Sequence, residues 1–119
     1  MKIAITSQGQ TLDSSIDPRF GRAAGFVLVD TESGDIDYAD NTQNLTLAQG
    51  AGIQAAQNVA RTGAQAVITG HVGPKAFTAL NKGKIDIYLG AAGTVQEALD
   101  AFKSGKLSAA DAADKEGHW

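Results

Sequence analysis

The sequence predicts an α/β fold: one domain, with a mixed sheet of about five strands and flanking helices. Three observations carry this reading. The unit of strand, glycine-rich turn and helix occurs twice, at residues 66–80 and 86–102, and such repetition marks parallel strands joined by right-handed crossovers. Thr31-Glu32-Ser33-Gly34-Asp35 places turn chemistry between two strand-like runs, the pattern of a β-hairpin. The 119 residues suffice for one domain with a real core, and 43% apolar against 19% charged residues is a globular balance.

Lys2 to Thr6 forms a short apolar run that stops at Ser7-Gln8-Gly9-Gln10. It reads as a central strand with a polar loop at its carboxyl end. Residues 8–16 are polar and read as irregular. Phe26-Val27-Leu28-Val29-Asp30 is the first hairpin strand, and Ile36-Asp37-Tyr38-Ala39-Asp40 alternates as a half-exposed second one. From Thr46 the period becomes helical: Leu47, Ala51, Ala55 and Val59 fall on one face. Thr46 and Gln49 form a capping-box pattern, and Gly63 suits the position just past the helix end.

Ala66-Val67-Ile68-Thr69 reads as a buried strand, and Pro74 as the first residue of a two-turn helix ending at Asn81-Lys82-Gly83. Ile85 to Leu89 is the next strand. Thr94 and Glu97 then form a second capping box, and Val95, Ala98, Leu99 and Phe102 supply that helix's apolar stripe. The domain spans 1–107 in this reading. Residues 108–119 are polar and alanine-rich and form a loosely ordered tail ending in His118-Trp119.

Composition removes several function classes. With no cysteine, disulfides and thiolate-held iron–sulfur clusters are impossible. A net charge of −3 opposes a nucleic-acid-binding face spread over the protein, though a local cationic pocket remains compatible. The N-terminal apolar run is too short for a signal sequence, and no run has transmembrane length. The expectation is a cytoplasmic protein with no membrane or nucleic-acid partner. No G-x-S-x-G, Walker A or well-placed G-x-G-x-x-G is present. Asp30, Asp37 and Asp86 are too scattered for a metal-dependent nuclease. The chain therefore reads as a non-enzyme.

The chemistry concentrates in Asp17-Pro18-Arg19-Phe20-Gly21-Arg22-Ala23-Ala24-Gly25. Pro18 fixes its own φ and pushes Asp17 into an extended conformation. Gly21 and Gly25 permit a tight path, and Arg19 and Arg22 bring two permanent charges whose planar forks suit anions. The plain alternative is a surface loop with two solvated arginines. In open α/β sheets ligands bind beyond the carboxyl ends of strands. Here those ends are Ser7-Gln8-Gly9, Gly70-His71-Val72-Gly73 and Gly90-Ala91-Ala92-Gly93. The last two run into helix starts at Pro74 and Thr94, where free N–H groups favour anions. If the Arg loop covers this rim, it gathers Arg19, Arg22, His71 and Lys75. Lys75 opposes the dipole of its own helix, a placement that favours an anionic ligand. Taken alone, the glycine-rich turns are better explained as ordinary turns, Phe20 could pack the loop onto the core, and Asn41 and Asn44 could serve only to turn the chain.

Ser14-Ser15-Ile16-Asp17-Pro18-Arg19-Phe20-Gly21-Arg22-Ala23 resembles the signature of the dinitrogenase iron–molybdenum cofactor biosynthesis family. Asn41 and Asn44, Thr69 to Phe77 and Tyr88 to Val95 fit the same pattern, so the resemblance covers about residues 1–105. It implies a ribonuclease-H-like fold and binding of a molybdenum-containing cluster. Its small cysteine-free members imply a molybdenum–copper sulfide cluster of thiomolybdate type, and the family resemblance implies nucleotide-binding ATPases as working partners. Without thiolates the cluster must bring its own sulfide. Candidate binding residues are Arg19, Phe20, Gly21, Arg22, Gly70, His71, Gly73, Lys75, Gly90, Gly93 and Thr94, with backbone amides of residues 71–75 and 91–95 as further donors. His71 is the candidate metal ligand. The function expected is carriage or sequestration of that cluster. The alternatives are a small-anion or nucleotide-binding regulatory module and, further off, a phosphohydrolase.

Overall fold

A computed structural model of the chain describes residues 1–42 and 50–110. Five strands and three helices follow one another as β1 (Lys2–Ser7), β2 (Gly25–Asp30), β3 (Ile36–Asp40), α1 (Ala51–Arg61), β4 (Ala66–Ile68), α2 (Pro74–Lys82), β5 (Asp86–Tyr88) and α3 (Val95–Lys103). The strands form one mixed sheet in the order β3-β2-β1-β4-β5. β1, β2 and β3 are antiparallel neighbours, whereas β4 and β5 run parallel to β1.

The central strand carries no polar alternation because it is covered on both faces. Ala4 packs with Phe26, Leu28, Val59, Val67, Leu80 and Ile87 in the layer under α1 and α2. Ile3 and Ile5 pack with Val27, Ile68, Val95 and Leu99 under α3. Each such valine, leucine or isoleucine contributes about 1.5–3 kcal/mol on full burial. Only the outer strand β3 is largely exposed, as its alternating pattern requires. α1 and α2 sit close because glycine and alanine line their contact: a Cβ on Gly52 would stand 3.1 Å from that of Ala76.

Helix ends follow the sequence in detail. Thr94 and Glu97 complete their capping box, Pro74 opens α2, and Gly63 follows α1 at φ +81°. α1 runs from Ala51, and Gly50 ahead of it stands in the left-handed region at φ +82°. The Thr46–Gln49 capping box and Asn44 lie outside the described residues, as do His118 and Trp119. Beyond residue 107 the chain continues along β5: Ala109 bridges Tyr88, and the Ala110 N–H donates to the Ile87 carbonyl at 2.7 Å.

This topology brings one set of connections together. β1, β4 and β5 end at the same edge of the sheet, and Gly25 at the start of β2 lies there too, opposite Ser7 and Asp40. A buried polar chain ties this edge to α1. Asn58 Nδ2 donates to Asn41 Oδ1 (2.7 Å), Asn41 Nδ2 donates to the Ala23 carbonyl (2.9 Å), and the Asn41 N–H donates to Ala24 (2.9 Å). Asn41 is therefore more than a turn residue; it clamps the end of the Arg loop. Asn58→Ala removes one donor to Asn41 Oδ1 and the side chain that links α1 to the Arg loop. It should cost about 1–3 kcal/mol of stability in urea unfolding. An unchanged midpoint would mean that this chain of bonds holds nothing.

Candidate anion site at the carboxyl edge of the sheet

Residues 11–22 cross the carboxyl ends of the three parallel strands and are bonded to each in turn. Over β1, the Asp17 N–H donates to the Thr6 carbonyl (3.0 Å) and Thr6 Oγ1 donates to the Asp17 carbonyl (2.6 Å). Thr6 Oγ1 also lies 2.9 Å from Thr69 Oγ1, so two wholly buried hydroxyls link the loop to β1 and to the end of β4. Over β4, the His71 N–H donates to the Pro18 carbonyl (2.8 Å) and the Phe20 N–H to the His71 carbonyl (3.3 Å). Beyond β5, the Ile16 N–H donates to the Gly93 carbonyl (2.9 Å). Arg19 and His71 are thereby backbone neighbours in a parallel bridge.

Several of the candidate binding residues make structural contacts. Phe20 is wholly buried, its ring 5.9 Å from that of Phe26; its side chain anchors the loop in the core and presents nothing to a ligand. Gly70 is buried under Pro18: a Cβ there would meet Pro18 Cα and Cβ at 2.8 Å, so glycine is needed for loop and strand to touch. The start of α3 is closed. The Thr94 N–H donates to Glu97 Oε1 (3.0 Å), Val95 N–H to the Ser14 carbonyl (2.9 Å), Gln96 N–H to the Leu12 carbonyl (2.9 Å), and Glu97 N–H to Thr94 Oγ1 (3.1 Å). A carboxylate already occupies the position an anion would take. Ala91 N–H is likewise committed, to the Thr69 carbonyl (3.2 Å). Gly90 and Gly93 supply left-handed turns at φ +82° and +85°.

The α2 start differs. Gly73 is its buried N-cap, with no side-chain bond to the helix end, and Pro74 has no N–H to satisfy. The Lys75 and Ala76 N–H groups donate to no described residue, and the Lys75 side chain is exposed. Gly21 is buried, whereas Arg22 and His71 are half-buried and each has a partner of its own. Arg19 and Arg22 lie on the loop, His71 on the strand end bonded to it, and Lys75 in the first turn of α2.

The sequence reading assigned no partner to Asp17. Asp17 is buried, its side chain 6% exposed, and its carboxylate accepts from the Arg19 N–H (2.9 Å), Nε (3.3 Å) and Nη2 (3.5 Å). Arg19 itself is half-exposed. The carboxylate steers the guanidinium and leaves Nη1 uncommitted among the described residues. The signal was local: an aspartate two residues ahead of the arginine with proline between them is an Asx-turn sequence.

The fold is a small α/β domain with a five-strand mixed sheet and no cysteine, and Arg19, Arg22, His71 and Lys75 lie on the loops and the helix start beyond the carboxyl ends of its strands. The chain belongs to the dinitrogenase iron–molybdenum cofactor family, whose model matches residues 1–105. It is similar to the apo form of the orange protein of Desulfovibrio gigas, with 46% identity, a TM-score of 0.93 and 96% of each chain covered. A Thermotoga NifB-type protein of the DUF35 family shares 37% identity at a TM-score of 0.84, over 98% of each chain. An uncharacterised protein of Methanocaldococcus jannaschii is 31% identical over 109 residues, 90% of this chain and 89% of that one. The family and the orange protein associate this fold with cofactor-related binding.

Gly70→Ala should push Pro18 away from β4, costing about 1–3 kcal/mol by overpacking and speeding hydrogen exchange of the His71 amide. Native protection of that amide in the variant would show that the loop does not depend on this contact.

Proposed function

We propose that the protein binds and carries an anionic molybdenum–sulfide cluster, with copper, at the rim formed by Arg19, Arg22, His71 and Lys75, and catalyses no reaction. The observation that supports this most is the steered guanidinium: buried Asp17 holds half-exposed Arg19 beside His71. Next to that strand end lies the uncapped start of α2. Guanidinium, lysine and amide donors suit a compact anion. Among the described residues no group of three His, Cys, Asp or Glu side chains forms a metal cage, and the chain has no cysteine. A cargo that brings its own sulfide fits this donor set, and a bare cation does not. Soft copper suits such sulfide surroundings, with His71 as the imidazole available among the described residues.

The sheet order, with an antiparallel meander followed by two parallel strands, supports a ribonuclease-H-like description of the fold. A cytoplasmic location belongs to the same proposal; among the described residues no helix is long and apolar enough to cross a membrane. A nucleotide-binding ATPase partner rests on the family resemblance alone, and no residue of this structure argues for one.

The test is reconstitution. Protein mixed with tetrathiomolybdate and copper(I), then desalted, should retain both metals by elemental analysis and show charge-transfer bands unlike those of free thiomolybdate. Arg19→Gln with Arg22→Gln removes both charges and keeps the side-chain stems, and it should abolish retention while far-ultraviolet dichroism stays native. Full retention by that variant would overturn the site. Asp17→Asn, which keeps both arginines and loosens the aim of one, should weaken retention less than the double variant does. His71→Ala should alter the visible spectrum if the imidazole ligates copper; a lower yield with an unchanged spectrum would assign His71 to hydrogen bonding.

A further inference from the structure

We propose that the outer face of α1 and α2 is a docking surface for an amphipathic, acidic helix of a partner protein. The first observation is the distribution of charge. Residues 41–85 contain no aspartate or glutamate, although the chain has 13 of them, and they include Arg61, Lys75, Lys82 and Lys84. That acid-free stretch supplies both helices of this layer. The opposite pattern marks the hairpin, where Asp30, Glu32, Asp35, Asp37 and Asp40 cluster within 11 residues. An acidic protein thus presents one helical layer free of negative charge.

The second observation is shape. A groove of about 580 Å³ runs along this layer, bounded by Ile53 and Gln57 of α1 and by Pro74, Lys75, Thr78, Ala79 and Lys82 of α2. Ile53 is 39% exposed within it and is one of two large apolar side chains so exposed among the described residues. A lone surface isoleucine is ordinary. Here it stands in a groove whose other walls are mostly carbon and whose charges, among the described residues, are two lysines. Those lysines are seven residues apart, two turns or ~10.5 Å along α2, and so share a face.

The pattern selects its occupant. A nucleic acid would call for more cations and no apolar strip at the centre. A helix laid in the groove would cover Ile53 and Ala79 with its apolar stripe and set carboxylates, also two turns apart, against Lys75 and Lys82. Electrostatic complementarity of this kind sets partner choice and association rate. Lys75 lies at the junction of this groove with the rim, which would bring a docked partner to the mouth of the anion site. The docking proposal stands without the cluster: it needs only the groove and its charge.

The probe is a synthetic amphipathic helical peptide with a leucine stripe and flanking glutamates, compared with the same peptide carrying lysines in their place. Both are titrated into the full ¹⁵N-labelled chain. The acidic peptide should shift the amides of Ile53, Gln57, Thr78, Ala79 and Lys82, and the basic one should not. Lys82→Glu should weaken the acidic peptide about tenfold and more at low salt than at high. Ile53→Ser, a surface change that leaves the core intact, should weaken it as well. Equal shifts from both peptides, shifts confined to other faces, or none at all would overturn the proposal. Groove shifts that depend on protein concentration without peptide would also overturn it, by assigning the face to a second copy of the chain. A short DNA duplex that shifts these amides while the acidic peptide does not would assign it to nucleic acid.

Discussion

Everything at the carboxyl edge depends on one close approach, the Pro18 backbone lying on Gly70. The contact is possible only because Gly70 has no side chain. Once it is made, His71 exchanges backbone bonds with Pro18 and Phe20 of the loop, Thr6 and Thr69 bury their hydroxyls beneath Asp17, and Phe20 is drawn into the core. The loop then has no freedom to swing away from the strands. A segment of irregular structure becomes a rigid part of the sheet edge, which is what an exposed binding group needs if it is to hold its place without an ordering cost.

Burial of Asp17 follows from the same contact and changes how the charge at the rim works. A carboxylate with 6% of its side chain exposed must be satisfied from within, and Arg19 supplies three of its N–H donors, one from the backbone. The pair lowers the net charge that Arg19 offers and raises its definition in space. The closed start of α3, where Glu97 already fills the anion position, leaves the α2 start as the helix terminus at this edge with amides to offer. The site is thus narrower than a rim with two open helix ends: few donors, each held by a neighbour.

How much of this was legible in the sequence depended on the range of the interactions. Signals that act within one turn were readable. Thr94 with Glu97, Pro74 at the helix start, Gly63 after α1 and the hairpin turn at 31–35 all describe the structure as it stands. The loop over the strand ends followed from the general rule for α/β sheets. What the sequence did not disclose was which groups long-range contacts had already used. Ser14 and Leu12 lie some 80 residues from the α3 amides they accept, and no local pattern reports that. Phe20, between Arg19 and Gly21 with Arg22 close behind, has the context of an exposed residue and the burial of a core one. Asn41 and Asn58 are 17 residues apart, on a loop and a helix, and only folding makes them partners.

The absence of cysteine gives the proposed cargo its character. Proteins that ligate metal–sulfur clusters through thiolates form covalent bonds that must be broken to release them. This chain has no thiolate to offer, and the described residues contain no set of three ligands to replace it. Its grip would come from charge-assisted hydrogen bonds, individually worth about 1.5–3 kcal/mol and weakened by salt where they are exposed. Several such bonds, pre-aligned by Asp17 and the Pro18–Gly70 contact, can hold a compact anion and still let it go intact. A site of that kind suits transfer better than permanent residence. It also makes the alignment of the donors, more than their number, the quantity on which retention turns.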